Sequence, residues 1–399
     1  MKILVFTPYV PYPPNSGGQT RTFNLIKNLS RKHEITSFSF LRTDQKEPDL
    51  SELKKYCRKI KIFRRKKSWD SPQKILATGF SLYPYLVNMY KDILVEKAIS
   101  EELKSQKYDL IHLETYYIMP NIGETSVPIL LSEQTIEYLV YQHYAETTSL
   151  WFLKPFLYVD VLKHNFWEKY FWEKARKVVA MSEADKKKMQ NLLPGLNVDV
   201  VPNGVDSGWF AQKVKTPSKN GIRFLFQGNF NWLQNREAVD ILVKNIWPEI
   251  KRQLPSAALW IVGRDPTEAI KKFSRVDIII DGNVEDIRIA YQGSDALLAP
   301  LYGGGGTRYK VLEAMASGLP VISTPIGIEG LGAQNRVHAL VTTKEEEMAN
   351  LAVEIVKNKT LAKKISLAAK ELVVNKFDWS AISANLDKIY EETAFNRHS

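Results

Sequence analysis

Short apolar segments alternate with longer amphipathic segments along the whole chain, and this alternation limits the possible folds more than any other feature. A short apolar run between helix-length segments is typical of a buried strand in a parallel sheet. The alternation pauses at Pro202-Asn203-Gly204, a turn signal, and then starts again. The sequence predicts strands at residues 3–7, 34–40, 109–113, 128–131, 177–181, 198–201, 222–226, 258–262, 276–280, 296–299 and 320–323.

These two series of strands predict two parallel-sheet domains of the α/β class. The chain has 399 residues, and a single hydrophobic core rarely serves more than about 250–300 residues. We therefore predict an N-terminal domain over residues 1–203, a C-terminal domain over residues 204–380, and a final helix over residues 381–399 that crosses back to the first domain. In open parallel sheets, ligands bind beyond the carboxyl ends of the strands.

Cysteine usage and hydropathy predict a cytoplasmic protein. Cys57 is the only cysteine, so no intrachain disulfide can form, which fits a reducing compartment. The apolar run at the N-terminus is too short for a signal peptide and is interrupted by Pro8 and Pro11. No stretch of about 18 apolar residues is present to form a transmembrane helix.

The charge distribution predicts an anionic partner. The formal net charge is +11, and residues 1–200 carry 30 Lys and Arg against 22 Asp and Glu. Two basic segments, residues 59–69 and 151–177, contain aromatic residues beside the cations, a composition that suits the inner surface of an anionic membrane. The alternative is a solvated face over a buried helix stripe. Nucleic-acid binding is not expected, because no recognised motif accompanies the charge.

Residues 300–322 carry the strongest chemical signal. A predicted strand leads into Gly303–Gly306, and Thr307 is placed to cap the helix that follows. Glycine N–H groups and a helix start both favour phosphate. Lys310 and Glu313 are three residues apart and share a helix face, where a cation suits a phosphate and a carboxylate suits a ribose diol. The alternative is a flexible loop before a core helix with a surface ion pair.

Residues 313–322, Glu-Ala-Met-Ala-Ser-Gly-Leu-Pro-Val-Ile, resemble the donor-site signature of the retaining family-4 glycosyltransferases. Further similarities, which together span nearly the whole chain, lie at residues 17–21, 178–183, 201–206 and 377–380. The resemblance implies the GT-B fold, in which two Rossmann-like domains face each other across a cleft. It also implies a nucleotide-sugar donor held by the C-terminal domain, an acceptor held by the N-terminal domain, and retention of anomeric configuration.

Some positions depart from the family pattern. The family signature has two glutamates eight positions apart; Glu313 matches the second, which binds the ribose, whereas the first falls on Gly305. The basic pair that usually contacts the donor phosphates is replaced by the sequence of residues 228–236, which contains Arg236. A histidine that often follows the strand at residues 128–131 is replaced by Glu133-Gln134. The variant is similar to sugar transferases of polysaccharide-export systems.

We therefore predict that Arg308 and Lys310 stabilise the leaving diphosphate and that Glu133 orients the acceptor hydroxyl. The predicted donor-binding residues are Gly17, Gly18, Gly228, Asn229, Arg236, Arg264, Gly304, Gly305, Gly306, Thr307 and Glu313. The alternatives are an ordinary turn at Gly17-Gly18, a surface arginine at 264, and solvated loop carboxylates at Glu114, Glu133 and Glu137. His112 lies inside an apolar strand and is expected to be a core histidine.

No Asp-x-Asp and no His/Cys cluster with metal-ligand spacing occurs in the sequence. We therefore expect a metal-independent reaction with no cofactor, in which the nucleotide-sugar is the donor substrate and a glycan or lipid-linked glycan is the acceptor. The absence of Gly-x-Gly-x-x-Gly argues against a nicotinamide enzyme. A nucleotide-sugar epimerase and a non-catalytic scaffold related to glycosyltransferases stay open as alternatives.

Overall fold

The computed structural model describes residues 1–65, 81–148, 151–216, 221–303 and 309–395. The chain divides into two compact units. Unit 1 comprises residues 1–202 and 382–399, and unit 2 comprises residues 203–381. Within the described ranges, no helix is both long and apolar enough to cross a bilayer.

Unit 1 is built on a seven-stranded parallel sheet. Its strands are β1 (Lys2–Thr7), β2 (Glu34–Arg42), β3 (Lys59–Arg65), β4 (Leu110–Glu114), β5 (Ile129–Glu133), β6 (Lys177–Ala180) and β7 (Val198–Val200). They lie in the order β3-β2-β1-β4-β5-β6-β7. The helices are α1 (Gly17–Leu29), α2 (Tyr85–Tyr90), α3 (Ile93–Ser105), α4 (Glu137–Thr147), α5 (Lys154–Lys174) and α6 (Glu183–Leu192), with short 3₁₀ segments at Leu53–Lys55, Tyr116–Asn121 and Trp151–Leu153.

Helix α1 begins three residues before the predicted Thr20. The Ser16 side chain accepts a hydrogen bond from the Gln19 backbone N–H at 3.4 Å and caps the helix. Gly17 and Gly18 therefore form the first helical turn, and the prediction that they form a loop is wrong. The face of α1 that packs into the core is the predicted one, with buried Phe23, Leu25, Ile26 and Leu29.

The described part of the first basic segment, residues 59–65, is an edge strand of this sheet, which the sequence did not predict; Lys66 and Lys67 lie outside the described ranges. In β3 the cations are engaged within unit 1: Lys59 pairs with Glu102, and Arg64 pairs with Glu47. The Arg65 guanidinium lies 4.4 Å from the centre of the Tyr90 ring. Charged side chains on an edge strand are a common protection against pairing with other chains. The described part of this segment therefore has a structural explanation that needs no membrane.

Unit 2 is built on a six-stranded parallel sheet. Its strands are β8 (Arg223–Gln227), β9 (Ala258–Val262), β10 (Ile278–Asp281), β11 (Ala296–Ala299), β12 (Val321–Ser323) and β13 (Leu340–Val341). They lie in the order β10-β9-β8-β11-β12-β13. The helices are α7 (Ser207–Ala211), α8 (Leu233–Ile241), α9 (Trp247–Gln253), α10 (Glu268–Lys271), α11 (Ile287–Gln292), α12 (Tyr309–Ala316), α13 (Glu345–Lys357) and α14 (Lys359–Lys376), with a π-helical turn at Leu242–Ile246 and a 3₁₀ turn at Pro325–Ile328.

The last helix, α15 (Trp379–Phe395), begins in unit 2, and its residues from Ile382 onward belong to unit 1. There Asp387 accepts hydrogen bonds from Lys32 at 2.6 Å and His33 at 2.7 Å. Burial acts to raise the pKa of Asp387, but these two partners outweigh it and lower the pKa. Asp387 therefore attaches the C-terminal helix to unit 1 as a carboxylate.

Candidate functional site

The loop after β8 and the start of α12 form a connected polar cluster in unit 2. The Lys310 ammonium donates a hydrogen bond to Asn235 Oδ1 at 2.7 Å. Asn235 Nδ2 donates in turn to the Asn229 carbonyl at 2.7 Å. Helix α12 is thereby joined to α8 and to the loop at the carboxyl end of β8, which is where ligands bind in open parallel sheets.

Lys310 is buried, with only 8% of its surface exposed. Its Nζ also lies 4.5 Å from the centre of the Phe226 ring. A lysine is rarely buried without polar partners, because removing an ammonium group from water is costly. The alternative of a surface ion pair is therefore wrong for Lys310, and the structure places a positive charge inside the polar cluster.

Glu313 lies one helical turn after Lys310. Its Oε2 accepts a hydrogen bond from the Tyr291 hydroxyl at 2.6 Å. Burial raises the pKa of Glu313, whereas the Tyr291 hydroxyl and the positive charge of Lys310 act in the opposite direction. The carboxyl group is thus held in a fixed orientation, as an acceptor for two vicinal hydroxyls requires.

Gly228 is needed for packing in this cluster. A Cβ atom at Gly228 would lie 2.9 Å from Asn235 Cγ, so the side chain that holds Lys310 occupies its place. A Cβ atom at Gly263 would lie 1.6 Å from the Gly228 carbonyl oxygen. The glycines at the ends of β8 and β9 therefore allow these two loops to pack closely.

The structure brings Arg236 and Arg264 to the same loop. Arg236 Nη1 donates to the carbonyls of Phe230 at 3.0 Å and Asn231 at 3.1 Å. The Arg264 carbonyl accepts from the Phe230 N–H at 3.0 Å, and the Arg264 side chain is exposed. Arg236 therefore has a structural role, because it fixes the conformation of the loop that precedes α8.

A cavity of about 470 Å³ lies beside this loop in unit 2. Its wall includes Arg236, Glu237 and Asp240 from α8, together with Thr267 and Tyr302. Two carboxylates in the wall oppose the binding of a diphosphate through like-charge repulsion. The cavity is therefore a poorer place for a diphosphate than the neighbourhood of Lys310.

Five predicted site residues lie outside the described ranges. They are Gly304, Gly305, Gly306, Thr307 and Arg308. Lys310 and Glu313, which follow them on α12, are described, as is Gly303. The proposed role of the glycine loop in binding phosphate therefore stays a prediction.

In unit 1, Gly18 packs against a hydrogen-bonded group that the sequence did not predict. A Cβ atom at Gly18 would lie 2.6 Å from the Tyr9 hydroxyl and 2.8 Å from Gln134 Oε1. Gln134 Nε2 donates to the Tyr9 hydroxyl at 2.5 Å and to Glu114 Oε2 at 2.7 Å. Because the three partners are far apart in sequence, no spacing rule could have found this group. Gly17 precedes it in the same helical turn.

Glu114 is a buried residue at the end of β4, so the alternative of a solvated loop carboxylate is wrong for it. Its Oε1 lies 3.4 Å from His112 Nε2, and His112 Nδ1 is hydrogen-bonded to the Tyr390 hydroxyl. Burial acts to raise the pKa of Glu114, but His112, Arg21 and Gln134 outweigh it and lower the pKa. His112 is buried in the core as predicted.

Glu133 is also buried, at the end of β5, so it is not a solvated loop residue either. Its Oε1 accepts a hydrogen bond from Trp172 Nε1 at 3.1 Å. Burial, together with the negative charge of Glu168, raises the pKa of Glu133 well above the ordinary value. Glu168 accepts hydrogen bonds from the backbone N–H groups of Glu137 at 2.8 Å and Tyr138 at 3.0 Å.

Among the described residues, no group of three or more His, Cys, Asp or Glu side chains is arranged to hold a metal ion. In the polar cluster of unit 2, the positive charge comes from Lys310, and the side chains of Lys310 and Asn235 act as hydrogen-bond donors. An anionic ligand placed there would meet the ammonium of Lys310, with the carboxyl of Glu313 one turn further along α12.

Two family models match the chain, one for each half. Residues 15–209 match the model described as Glycosyltransferase Family 4. Residues 221–358 match the model described as Glycosyl transferases group 1. Together they cover β2 to β7 of the unit 1 sheet, the whole unit 2 sheet and the polar cluster of unit 2.

Curated relatives include an uncharacterised 44.6 kDa protein in the cps region of Klebsiella pneumoniae, which is 21% identical over 97% of this chain and 99% of that protein. A phosphatidyl-myo-inositol mannosyltransferase of Mycobacterium leprae is 26% identical over 54% of this chain and 59% of its own length.

Solved structures resemble the whole chain. Sucrose-phosphate synthase from Thermosynechococcus elongatus has a TM-score of 0.72 at 17% identity and covers 98% of this chain and 99% of its own. HepE from Anabaena, solved in complex with UDP-glucose, has a TM-score of 0.65 at 16% identity and covers 98% of this chain and 100% of its own. At these identities the likeness shows a shared fold.

Proposed function

The chain belongs to the group 1 and family 4 glycosyltransferases and has the GT-B fold, and we propose that it moves a sugar from a nucleotide-sugar donor to an acceptor hydroxyl. The observation that carries this proposal is the buried ammonium of Lys310, held by Asn235 at the carboxyl end of β8. A fixed positive charge at that edge of a parallel sheet suits the diphosphate of a nucleotide-sugar.

The proposed donor site lies in unit 2. Lys310 stabilises the negative charge that develops on the leaving diphosphate, and Arg308 and the N–H groups of Gly304–Gly306 add to this stabilisation. Glu313, oriented by Tyr291, accepts hydrogen bonds from the ribose hydroxyls. That HepE is solved with UDP-glucose supports a uridine nucleotide as the first donor to test.

The proposed reaction retains the anomeric configuration of the sugar and needs no metal ion. Retention requires the acceptor hydroxyl to attack from the face that the diphosphate leaves. Charge neutralisation by protein cations takes the role that a divalent ion has in metal-dependent sugar transferases. The match to family 4 and the buried lysine of α12, Lys310, support these two features.

We propose that unit 1 binds the acceptor, which is a glycan or a lipid-linked glycan. The similarity to a protein encoded in a cps region and to a mannosyltransferase of a phospholipid supports an acceptor in polysaccharide or glycolipid assembly. Such an acceptor would place the protein in the cytoplasm, at the inner face of a membrane. Glu133 is retained as the candidate for orienting the acceptor hydroxyl, acting from the end of β5.

Binding of nucleotides and turnover of nucleotide-sugars test the proposal together. Calorimetry with UDP, GDP and ADP should identify one nucleotide that binds to the wild type and binds at least tenfold more weakly to Lys310→Met. Lys357→Met, which removes an exposed lysine of α13, is the matched control and should bind normally.

The reaction is followed by nucleotide release from a panel of donors, with and without acceptor extracts. Release that depends on the acceptor supports a transferase. Conversion of the donor sugar without an acceptor would show an epimerase. Nucleotide binding with neither reaction, across the panel, would show a non-catalytic scaffold and overturn the proposed transfer.

A further inference from the structure

Helix α5 buries a row of polar residues and exposes a row of apolar residues, while Val161, Phe171 and Trp172 are buried as well. Asp160, His164 and Glu168 recur every four residues and are buried. The opposite side of the helix consists of Val159, Leu162, Phe166 and Tyr170, all of which are exposed; Leu162 is 70% exposed and Phe166 is 61% exposed. We call these four side chains the outer face of α5. A helix on the surface of a water-soluble domain normally has the reverse arrangement.

Hydrogen bonds in the interior fix this orientation. Asp160 Oδ1 accepts from the Tyr85 N–H at 2.9 Å, and His164 Nδ1 is bonded to the Tyr116 hydroxyl. Glu168 accepts from the first two N–H groups of α4, which start that helix. Rolling α5 to bury its apolar side would expose these groups and break all of these bonds, so the outer face stays at the surface.

The apolar surface extends beyond α5. Trp151 and Phe152, in the 3₁₀ turn before the helix, are exposed, and so is Leu82. The Trp167 indole donates to the Leu82 carbonyl at 2.8 Å, which attaches Leu82 to the side of α5. Exposed aromatic and aliphatic side chains gathered on one helix and on the segments attached to it indicate a site of interaction.

The charges around the outer face are mainly positive. Between residues 151 and 174 the chain carries Lys154, Lys163, Lys169 and Lys174. Of the acidic residues in that range, Asp160 and Glu168 are buried and only Glu173 is exposed. The Lys174 ammonium lies 5.5 Å from the centre of the Tyr170 ring, so an apolar group and a cation are presented together.

We propose that the outer face of α5 binds an anionic lipid surface, with the helix lying in the plane of the interface. Aromatic and aliphatic side chains enter the boundary between headgroups and acyl chains, while the flanking lysines contact the anionic headgroups. A second copy of this chain fits the surface less well, because packing two such faces together would bring their lysines into repulsion. This inference develops the membrane location that accompanies the proposed function, yet it rests on α5 and the segments beside it and does not depend on the transfer reaction.

Co-sedimentation of the full chain with phosphatidylglycerol-containing vesicles tests the proposal. Val159→Glu/Phe166→Glu should lower the fraction bound about tenfold or more, because it removes apolar contacts and adds negative charge. Leu367→Glu/Val374→Glu on α14 is a matched control, since these two residues are also exposed and also seven positions apart. The control should bind as the wild type does.

Quenching of tryptophan fluorescence by brominated lipids gives a second measurement. Quenching should fall in Trp151→Phe, because Trp151 lies at the start of the apolar surface. Thermal unfolding and the binding of UDP check that the variants are folded. A wild type that does not bind UDP would count against the proposed function and not against the lipid-binding proposal. Equal vesicle binding by both double variants, or no binding by the wild type, would overturn the proposal. A wild-type dimer that dissociates in Val159→Glu/Phe166→Glu would instead assign the face to a second copy.

Discussion

Lys310 on α12 and Asn235 on α8 are 75 residues apart in sequence, and their side chains meet in a hydrogen bond of 2.7 Å. Asn235 cannot neutralise the ammonium, so it holds Lys310 in place without cancelling its charge. The resemblance to family 4 implies a basic pair in the loop after β8, and in this chain residues 228–236 stand in its place. Lys310 and Asn235 therefore bring a cation from α12 to this loop.

Replacing Asn235 should weaken donor binding through Lys310. We expect Asn235→Ala to reduce nucleotide affinity by about tenfold, since a hydrogen bond to a charged group contributes about 1.5–3 kcal/mol. Asn235→Asp should reduce it further, because a carboxylate beside Lys310 cancels the positive charge. Calorimetry on Asn235→Ala, Lys310→Met and the variant that combines them gives the coupling energy between the two side chains in nucleotide binding. This coupling energy should be about 1–3 kcal/mol. Additive effects of the two substitutions on nucleotide affinity would contradict the pairing. Asn245→Ala, at an exposed position of the same helical region, is the control and should bind nucleotide as the wild type does.

Arg308 and Arg236 should respond differently to substitution. Arg308→Ala and Lys310→Ala should each lower turnover by about tenfold to a thousandfold, as expected when stabilisation of charge in the transition state is lost. Arg236 already donates to two carbonyls of its own loop, so Arg236→Ala should lower thermal stability more than turnover. Steady-state kinetics and thermal melts on the three variants decide this. Normal turnover in Arg308→Ala and Lys310→Ala together with an inactive Arg236→Ala would assign the phosphate contact to Arg236 on α8.

The strands were predictable from the sequence, because a buried parallel strand is a short apolar run whatever its neighbours. Each of the predicted strands overlaps an observed strand. The two strands that the sequence did not predict have weak signals: β3, Lys-Ile-Lys-Ile-Phe-Arg-Arg, is half cationic, and β13 has two residues.

The site was predictable only where its residues are close together in sequence. The spacing of Lys310 and Glu313 on one helix indicated a cation beside a carboxylate. Their partners, Asn235 and Tyr291, come from other elements, and no periodicity connects residues across a sheet. Gly17-Gly18 was predicted as a loop because glycines favour turns, whereas the Ser16 cap extends the helix through them. The burial of Glu133 depends on Trp172, which comes from α5.

Glu313→Gln should separate donor binding from stability. Burial raises the pKa of Glu313, so folding favours its protonated form. A carboxyl group with a raised pKa stabilises the fold most at low pH and loses that contribution as the pH rises through the folded pKa. Glutamine cannot ionise, so this loss does not occur in Glu313→Gln. The melting temperature of the variant at neutral pH should therefore equal or exceed that of the wild type. Nucleotide affinity should nevertheless fall by about 1.5–3 kcal/mol. Affinity unchanged in calorimetry would remove Glu313 from the donor site.

Chelation should leave the transfer reaction intact. Lys310, Arg308 and the glycine loop are proposed to neutralise the diphosphate, and this electrostatic contribution does not depend on a divalent ion. Turnover with the identified donor is measured after dialysis against EDTA, and then with magnesium or manganese restored. Activity within about twofold in all three conditions is expected. A reaction that is lost in EDTA and recovered with either metal would show that Lys310, Arg308 and the glycine loop are not sufficient.

The buried carboxyl groups of unit 1 should make its stability fall as the pH rises. Burial raises the pKa of Glu168 to about 8, and burial together with the charge of Glu168 raises that of Glu133. A carboxyl group in the unfolded chain has a pKa of about 4.3, so between that value and about pH 8 the folded state binds the extra proton. This contribution of the buried carboxyl groups to the free energy of unfolding is complete below about pH 4.3 and declines by up to about 1.4 kcal/mol per pH unit through this window.

The variant Glu168→Gln lacks the Glu168 carboxyl group and therefore also the negative charge that acts on Glu133. The decline in stability should be shallower in this variant, even though it loses one acceptor for the start of α4. Urea unfolding followed by tryptophan fluorescence across this pH range measures the slope, and Glu173→Gln, at an exposed position of the same helix, should keep the slope of the wild type. Parallel pH profiles for the wild type and Glu168→Gln would mean that Glu168 is ionised in the folded protein and that its two backbone hydrogen bonds outweigh its burial.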